Sequence, residues 1–281
     1  MKEYINEKLV VIRGGGDLGT AVAITLFNAG YFILILESKC PIAVRRKVAL
    51  SEAVYENEVI IEGVKGVITQ SIDEIHNCIA KKYISIFVDE RANILNKLKP
   101  IALVDAIVAK KNLGTNKKMA PITIALGPGF IADVDVDAVI ETNRGQALGQ
   151  VIYDGPTTKN TGQPAPVMGF KRERVLWAPL SGHINVIKDI GNIVEKGEGV
   201  AEINGVHIKT KISGFVRGMI HPGIYVREGL KIADIDPRFD RLDLCYSVSD
   251  KAYVIGKSVL NALEILNAKK SNNKMIEWHS L

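Results

Sequence analysis

Gly14, Gly16 and Gly19 stand at the spacing Gly-x-Gly-x-x-Gly in VVIRGGGDLGTAVAITLFNAG, residues 10–30, between an apolar β-branched run and a helical pattern. That spacing suits phosphate chemistry. The first glycine permits a tight turn, the second lets backbone approach a pyrophosphate, and the third lets helix and strand pack closely. The helix N-terminus adds unpaired N–H groups and a partial positive charge. Gly15 lies in the same turn. Glu37 closes the next apolar run, FILILE, where an acid can take ribose hydroxyls. Asp17 opposes this reading. A carboxylate at the helix start caps the helix well and repels a phosphate placed on the same N–H groups. The loop is therefore either a ligand cradle or a self-capped turn.

Other residues extend the candidate site. Arg45 and Arg46 follow Glu37 closely; two adjacent guanidinium groups can grip a phosphate bidentately, or lie on a solvated helix face. LGPGF ends another apolar run, and the N–H groups around Gly127 and Gly129 can form an anion nest. ETNRGQALG gathers Thr142, Asn143, Arg144 and Gly145, donors with few apolar neighbours. Asp133, Asp135 and Asp137, at spacing two, share one face of an extended segment and form either a hard-cation site or a solvent-facing edge. His183, His207 and His221 lack any metal-ligand spacing and read as surface or strand residues. No Ser/His/Asp order and no Gly-x-Ser-x-Gly elbow occurs, so hydrolysis is unsupported and no catalytic residue is assigned.

The elements that must position these groups alternate. Strand, helix and strand over residues 10–37 make a βαβ unit. Helix-like segments follow at residues 43–56, at Ser71–Lys82 behind a Ser71/Glu74 capping box, and at Glu90–Lys99. Strands are expected around residues 59–61, 67–69, 84–89, 101–108 and 121–126. Residues 1–152 thus read as a Rossmann-like, doubly wound α/β domain. Residues 153–173, rich in Gly, Pro and Thr, read as an ordered loop or linker. Residues 174–238 hold an internal repeat. Gly182, Gly191 and Gly197 match Gly214, Gly223 and Gly229 at a period of 32 residues. This points to a small all-β barrel of two half-motifs. Residues 239–281 read as a helix and a frayed tail.

Composition bounds the partners. The chain has 281 residues, 47% hydrophobic and 24% charged, with a net charge of +5 spread thinly, so nucleic acid is not expected. An anionic small molecule remains compatible. Three scattered cysteines, Cys40, Cys78 and Cys245, exclude a disulfide framework and fit a reducing, cytoplasmic setting. No apolar stretch reaches the ~18 residues of a membrane span.

VVIRGGGDLGTAVAITLFNAG, LILESKCPIAVRRKVALSEAVYENEV, LGPGF, DVDAVIETNRGQALG, NTGQPAP and REGLKIADIDPR resemble the YqeB family over about Leu9 to Arg238. That family is named for a selenium-dependent molybdenum hydroxylase system. The resemblance implies an accessory or maturation protein whose partner is such a hydroxylase or its maturation machinery. The glycine-rich start is similar to the Rossmann part of the XdhC group, which implies a molybdopterin-type cofactor or a nucleotide as ligand. The repeat is similar to biotinyl and lipoyl carriers. Its hairpin EINGVHIK has no lysine at the apex, so a docking role is expected rather than a swinging arm. Cys40 either carries sulfur or selenium or is a structural thiol. Two other functions stay open: an NAD(P)-dependent oxidoreductase, for which no Lys–His or Tyr–Lys pair is seen, and a non-catalytic scaffold docking partners through the repeat.

Overall fold

The computed structural model describes residues 7–159, 162 and 164–279. The buried, β-branched run before the glycines is β1 (Leu9–Arg13), fully buried on both faces. It is followed by α1 (Asp17–Asn28) and β2 (Phe32–Glu37). Next come α2 (Ala53–Glu56), a single turn, then β3 (Glu58–Ile61), β4 (Val64–Thr69), α3 (Ile72–Ala80) and β5 (Ile84–Val88). β6 (Ala102–Asp105), β7 (Ile122–Leu126), β8 (Ile131–Ala132), β9 (Ala138–Ile140), β10 (Val151–Ile152) and β11 (Gly155–Pro156) complete this part.

Nine of these strands form one mixed sheet in the order β10-β9-β7-β6-β1-β2-β5-β4-β3. The seven central strands are parallel, and β3 and β10 add antiparallel edges. β8 and β11 pair separately.

The remaining strands are β12 (Val175–Trp177), β13 (Gly182–Val186), β14 (Ile193–Val194), β15 (Gly199–Ile203), β16 (Val206–Lys209), β17 (Gly214–Met219), β18 (Tyr225–Val226) and β19 (Lys231–Asp236). They make two four-stranded antiparallel sheets, β12-β19-β17-β14 and β16-β15-β13-β18. The sequence repeat is legible here. β13, β14 and β15 correspond to β17, β18 and β19, and the halves exchange their short strands: β14 pairs with β17, and β18 with β13. Both sheets face one core, built on Phe215, Ile184, Ala201, Val226 and Ile235.

This corrects the expected architecture. The N-terminal part is not the predicted Rossmann-like doubly wound sheet, and the repeat is not a closed barrel of two half-motifs. The large sheet is mixed, nine strands wide, and only α1 and α3 cross between neighbouring parallel strands as helices. The expected helices at residues 43–56 and 90–99 are short 3₁₀ turns and the single turn α2. Val48, Leu50 and Ala53 still reach the main core, but from short turns rather than from one helical face. The ladder of the repeat region breaks into two sheets, with bulges in β12, β15 and β17.

One face of the large sheet is covered from afar. α4 (Asp250–His279) returns from the end of the chain and packs beside α1. That explains why α1 is buried nearly all round, from Gly19 to Leu26. The crossing is close: a Cβ on Gly256 would lie 3.0 Å from the Ala21 carbonyl oxygen. The helix is longer than the expected helix with a frayed tail, for it continues to His279. α3 and its neighbours cover the other face through Ile75, Ile79 and Leu98.

Candidate glycine-loop site

β1, β2, β5 and β6 end at one edge of the sheet, and their carboxyl ends surround a cavity of about 690 Å³. Crevices at the carboxyl ends of parallel strands are where such sheets bind ligands, and this volume is in the usual range for small-molecule sites. Gly14, Gly16, Glu37, Ser51, Arg13 and Glu90 are among its walls.

The three glycines have three different reasons. Gly14 has φ +96°, and an added Cβ would stand 3.0 Å from the Ala106 carbonyl oxygen. At Gly19 an added Cβ would fall 2.0 Å from the Gly14 carbonyl oxygen. Both are fixed by the protein's own packing. Gly16 is different. An added Cβ would meet nothing within 4 Å, and its φ of −68° suits any residue. It faces the cavity. Gly15 lies between these, close to Ile35 and the Ser51 amide.

Glu37 does not point outward. Its carboxylate accepts from the backbone N–H groups of Gly15 (2.8 Å) and Ser38 (2.7 Å). Asp17 does not cap its own helix. Gly16 is the N-cap residue, with no side-chain cap bond among the described residues. The Asp17 carboxylate is instead held bidentately by Arg45 Nη1, at 2.9 and 3.0 Å. Arg45 also donates to the carbonyl oxygens of Leu244 and Ser247. Arg46 is buried too. It donates to Asp189 (2.6 Å to Oδ1) and lies 3.4 Å from Glu52 Oε1. The adjacent arginines are thus committed to acids, one within the first part of the chain and one in the repeat region.

The second cluster stands apart from the cavity walls. Gly127 (φ +71°) packs against Thr142, where an added Cβ would lie 2.6 Å from its hydroxyl. Gly129 (φ +111°) packs against the backbone of Lys111. Asn143 donates its N–H to Glu141. Burial raises the Glu141 carboxyl, yet the N–H of Asn143 and the hydroxyl and N–H of Thr158 hold it below its ordinary value. Gly145 has φ +145° with open space around it. Arg144 forms a bidentate pair with Asp250 at the start of α4 (2.9 and 3.1 Å). Each aspartate of the 133–137 set has a partner: Lys117 for Asp133, the Ile131 N–H for Asp135, and Thr123 for Asp137.

The Arg144 hydrogen bond holds the Asp250 carboxyl down at about 2. A depressed carboxylate contributes stability above its unfolded value, and that contribution is lost as pH falls through about 2. The pair is largely exposed, so Asp250→Asn should cost less than about 1 kcal/mol at pH 7. Denaturant titrations at pH 7 and pH 2 should show the difference between variant and wild type narrowing at the lower pH. A constant gap would assign the effect to helix capping geometry instead.

Sequence reasoning missed Ser51. It lies in what reads as a helix, and nothing in its neighbours marks it. It is 1% exposed, and its hydroxyl has no hydrogen-bond partner among the described residues. Its N–H donates to the Gly15 carbonyl oxygen, which ties it to the loop. Cys40, exposed, also lines the cavity.

Fold and cavity together define an α/β protein with a crevice at one sheet edge and an antiparallel β module packed beside it. The chain is similar to "Uncharacterized protein YqeB" of Escherichia coli (strain K12), 46% identical over 259 residues, 92% of its own length. It spans about half, 48%, of that relative's length. No protein-family model matches. Similarity to solved structures is distant. The ectoine utilization protein EutE (DoeB) from Ruegeria pomeroyi, in its product-bound form, has a TM-score of 0.24 and 11% identity, with 81% of this chain and 84% of that one covered. An aspartoacylase family protein from Mesorhizobium loti has a TM-score of 0.26 and 13% identity, with 81% and 84% covered. Among the described residues, no helix is long and apolar enough to cross a membrane.

Proposed function

We propose that this chain is an accessory protein of a molybdenum hydroxylase system, and that it binds a nucleotide or a molybdopterin-type cofactor in the glycine-loop cavity. The observation that carries the binding reading is Ser51. A buried hydroxyl left without a partner costs about 1–3 kcal/mol, and this one lies in the wall of a cavity beside a glycine that the fold itself does not require. The hydroxyl is sealed from the cavity as it stands, so a ligand reaches it only when the Ser51 side chain turns toward the cavity, and that contact removes the cost. Gly16 gives its backbone room to approach.

The arginines have no part in this reading, because Arg45 and Arg46 are held by Asp17, Asp189 and Glu52. Glu37 already holds the Gly15 N–H, so an anion would take the N–H groups that follow it, at the start of α1. The link to a hydroxylase rests on the family resemblance, and the relative's name assigns no activity.

The test is a melting curve of the purified chain with NAD, NADP, CTP, CDP and a molybdopterin-type cofactor. A ligand at about 100 times its Kd stabilises the native state by roughly 2.7 kcal/mol. Cytidine or pterin ligands should shift the curve. Gly16→Val should cost the unliganded chain no more than about 1 kcal/mol, since valine is a poorer N-cap residue than glycine, and abolish the shift. Ser51→Ala should weaken binding by about 1 kcal/mol. A shift with NAD or NADP alone would replace the proposal with an oxidoreductase, and a flat panel would replace it with a scaffold.

A further inference from the structure

The seam between the large sheet and the β module holds a cluster that the glycine-loop cavity does not use. Glu52 and Glu56 lie four residues apart around the single turn of α2, which puts both carboxylates on one face. His221 comes from the β module. One ligand atom from each of the three lies within 4.8 Å of the other two. Glu52 is buried, Glu56 exposed, and His221 half-buried. The imidazole is fixed on two sides. Its Nδ1 lies 2.7 Å from Glu52 Oε1, and Tyr55 stacks on the ring at 3.9 Å and 11°. Tyr55 is anchored in turn by its hydroxyl, which donates to the Pro41 carbonyl oxygen.

We propose that Glu52, Glu56 and His221 form a site for a divalent transition-metal ion that clasps the β module to the large sheet. One imidazole nitrogen and two carboxylates are a donor set that suits zinc-like ions and leaves a coordination position for water. Ligand atoms around one such ion stand roughly 3.3 Å apart at bond lengths of about 2.0–2.1 Å. His221 and Glu52 therefore need to separate by only a fraction of an ångström. The exposed Glu56 side chain is free to close the remaining gap. Bound to the ion through Nδ1, the imidazole would carry its proton on Nε2. Charge also balances. Arg46 is held by Asp189 at 2.6 Å and more loosely by Glu52 at 3.4 Å, so an ion on Glu52 displaces only the weaker of its contacts, and the two glutamates face two positive charges.

A purely structural seam makes a different demand on Glu56. Among the described residues it has no hydrogen-bond or ion-pair partner, so a seam without metal does not need it. The experiment is titration of the tag-free full chain with Co²⁺, followed by visible absorption, and with Zn²⁺, followed by calorimetry. The wild type should take up one ion per chain. Glu56→Gln and His221→Ala should each weaken binding by at least roughly tenfold to a hundredfold, the scale at which even outer-shell partners of a metal matter. Glu56→Gln should melt like the wild type without metal, so its loss of binding cannot be ascribed to misfolding even if His221→Ala fails to fold. No saturable uptake by the wild type, or uptake by Glu56→Gln as tight as the wild type's, would overturn the proposal.

Discussion

Gly19→Ala should lower the stability of the chain by roughly 3 kcal/mol or more, the upper end of what overpacking costs. The added Cβ falls 2.0 Å from the Gly14 carbonyl oxygen, where no real Cβ sits. The clash is backbone against side chain at the first turn of a helix, so no rotamer change relieves it. Nor can the helix back away. α1 is wedged between the sheet and α4, and the crossing is already tight at Gly256, with an added Cβ there only 2.5 Å from the Thr25 hydroxyl. The Gly14 side is equally fixed, because its N–H donates to the Leu36 carbonyl oxygen and its Cα faces Ala106. Urea unfolding should show a lower midpoint with an unchanged slope, since the exposed area is the same. Gly16→Val, three residues earlier, should lower that midpoint far less, at a cost of about 1 kcal/mol for a poorer N-cap residue. If all three glycines served only a ligand, none of these variants would alter the stability of the free chain. A Gly19→Ala protein as stable as the wild type would refute this division of roles.

That division shows how far the sequence could be read. The Gly-x-Gly-x-x-Gly pattern locates the turn, the helix start and the sheet edge, because each depends on local spacing. β1, α1, β2, the Ser71 cap and the Asn204-Gly205 turn follow for the same reason. Ser71 accepts from the Glu74 N–H at 3.2 Å, and Asn204 and Gly205 both have positive φ, as a type I′ turn requires. The period of 32 residues matched Gly182, Gly191 and Gly197 with Gly214, Gly223 and Gly229, and β13–β15 stand at the same period from β17–β19, since each half repeats the same local chain. It could not say that the halves exchange their short strands between two sheets, because that is a choice among long-range pairings.

The candidate site was less legible. Arg45-Arg46 looks like a phosphate fork only while the acids facing it are unknown. Asp17 is 28 residues away from Arg45 and Asp189 is 143 away from Arg46. Glu37 has the same difficulty: the position was right, but the direction of its carboxylate was not in the sequence. Ser51 and the Glu52/Glu56/His221 cluster depend on how the segment 43–56 folds into short turns under the β module. Its apolar spacing suggested one ordinary helix. The width of the sheet escaped for a related reason, since strands such as β9 and β10 are only three and two residues long.

Arg13→Met should destabilise the chain by about 3 kcal/mol at pH 7, with a deficit that shrinks on acidification. Arg13, 4% exposed, ends β1 in the cavity wall. It donates to the Thr115 hydroxyl and to the Glu90 carbonyl oxygen (2.8 Å), and its nearest carboxylate is Asp105, at 3.6 Å. Thr115 in turn donates to Asp105 at 2.6 Å. Burial pushes the Asp105 carboxyl above its ordinary value, and the Thr115 hydroxyl, the Ile107 N–H and the Arg13 charge oppose that. Removing the guanidinium leaves a buried carboxylate without its cation, a change that costs about 3–5 kcal/mol in buried pairs. The lower figure applies because two hydrogen bonds to Asp105 remain. The sign of the pH effect follows from the raised value. An acid that is harder to ionise folded than unfolded contributes stability that is fully present below its unfolded value near 3.8 and is lost as pH rises through the folded one. Loss of Arg13 moves the folded value further up, so the variant loses more than the wild type at pH 7 and less near pH ~4. Arg13→Met with Asp105→Asn should recover most of the loss at pH 7, because the second change removes the stranded charge. A deficit that stays constant from pH 7 to pH ~4, or a double variant no more stable than the single one, would assign the loss to packing around the Arg13 stem rather than to the charge.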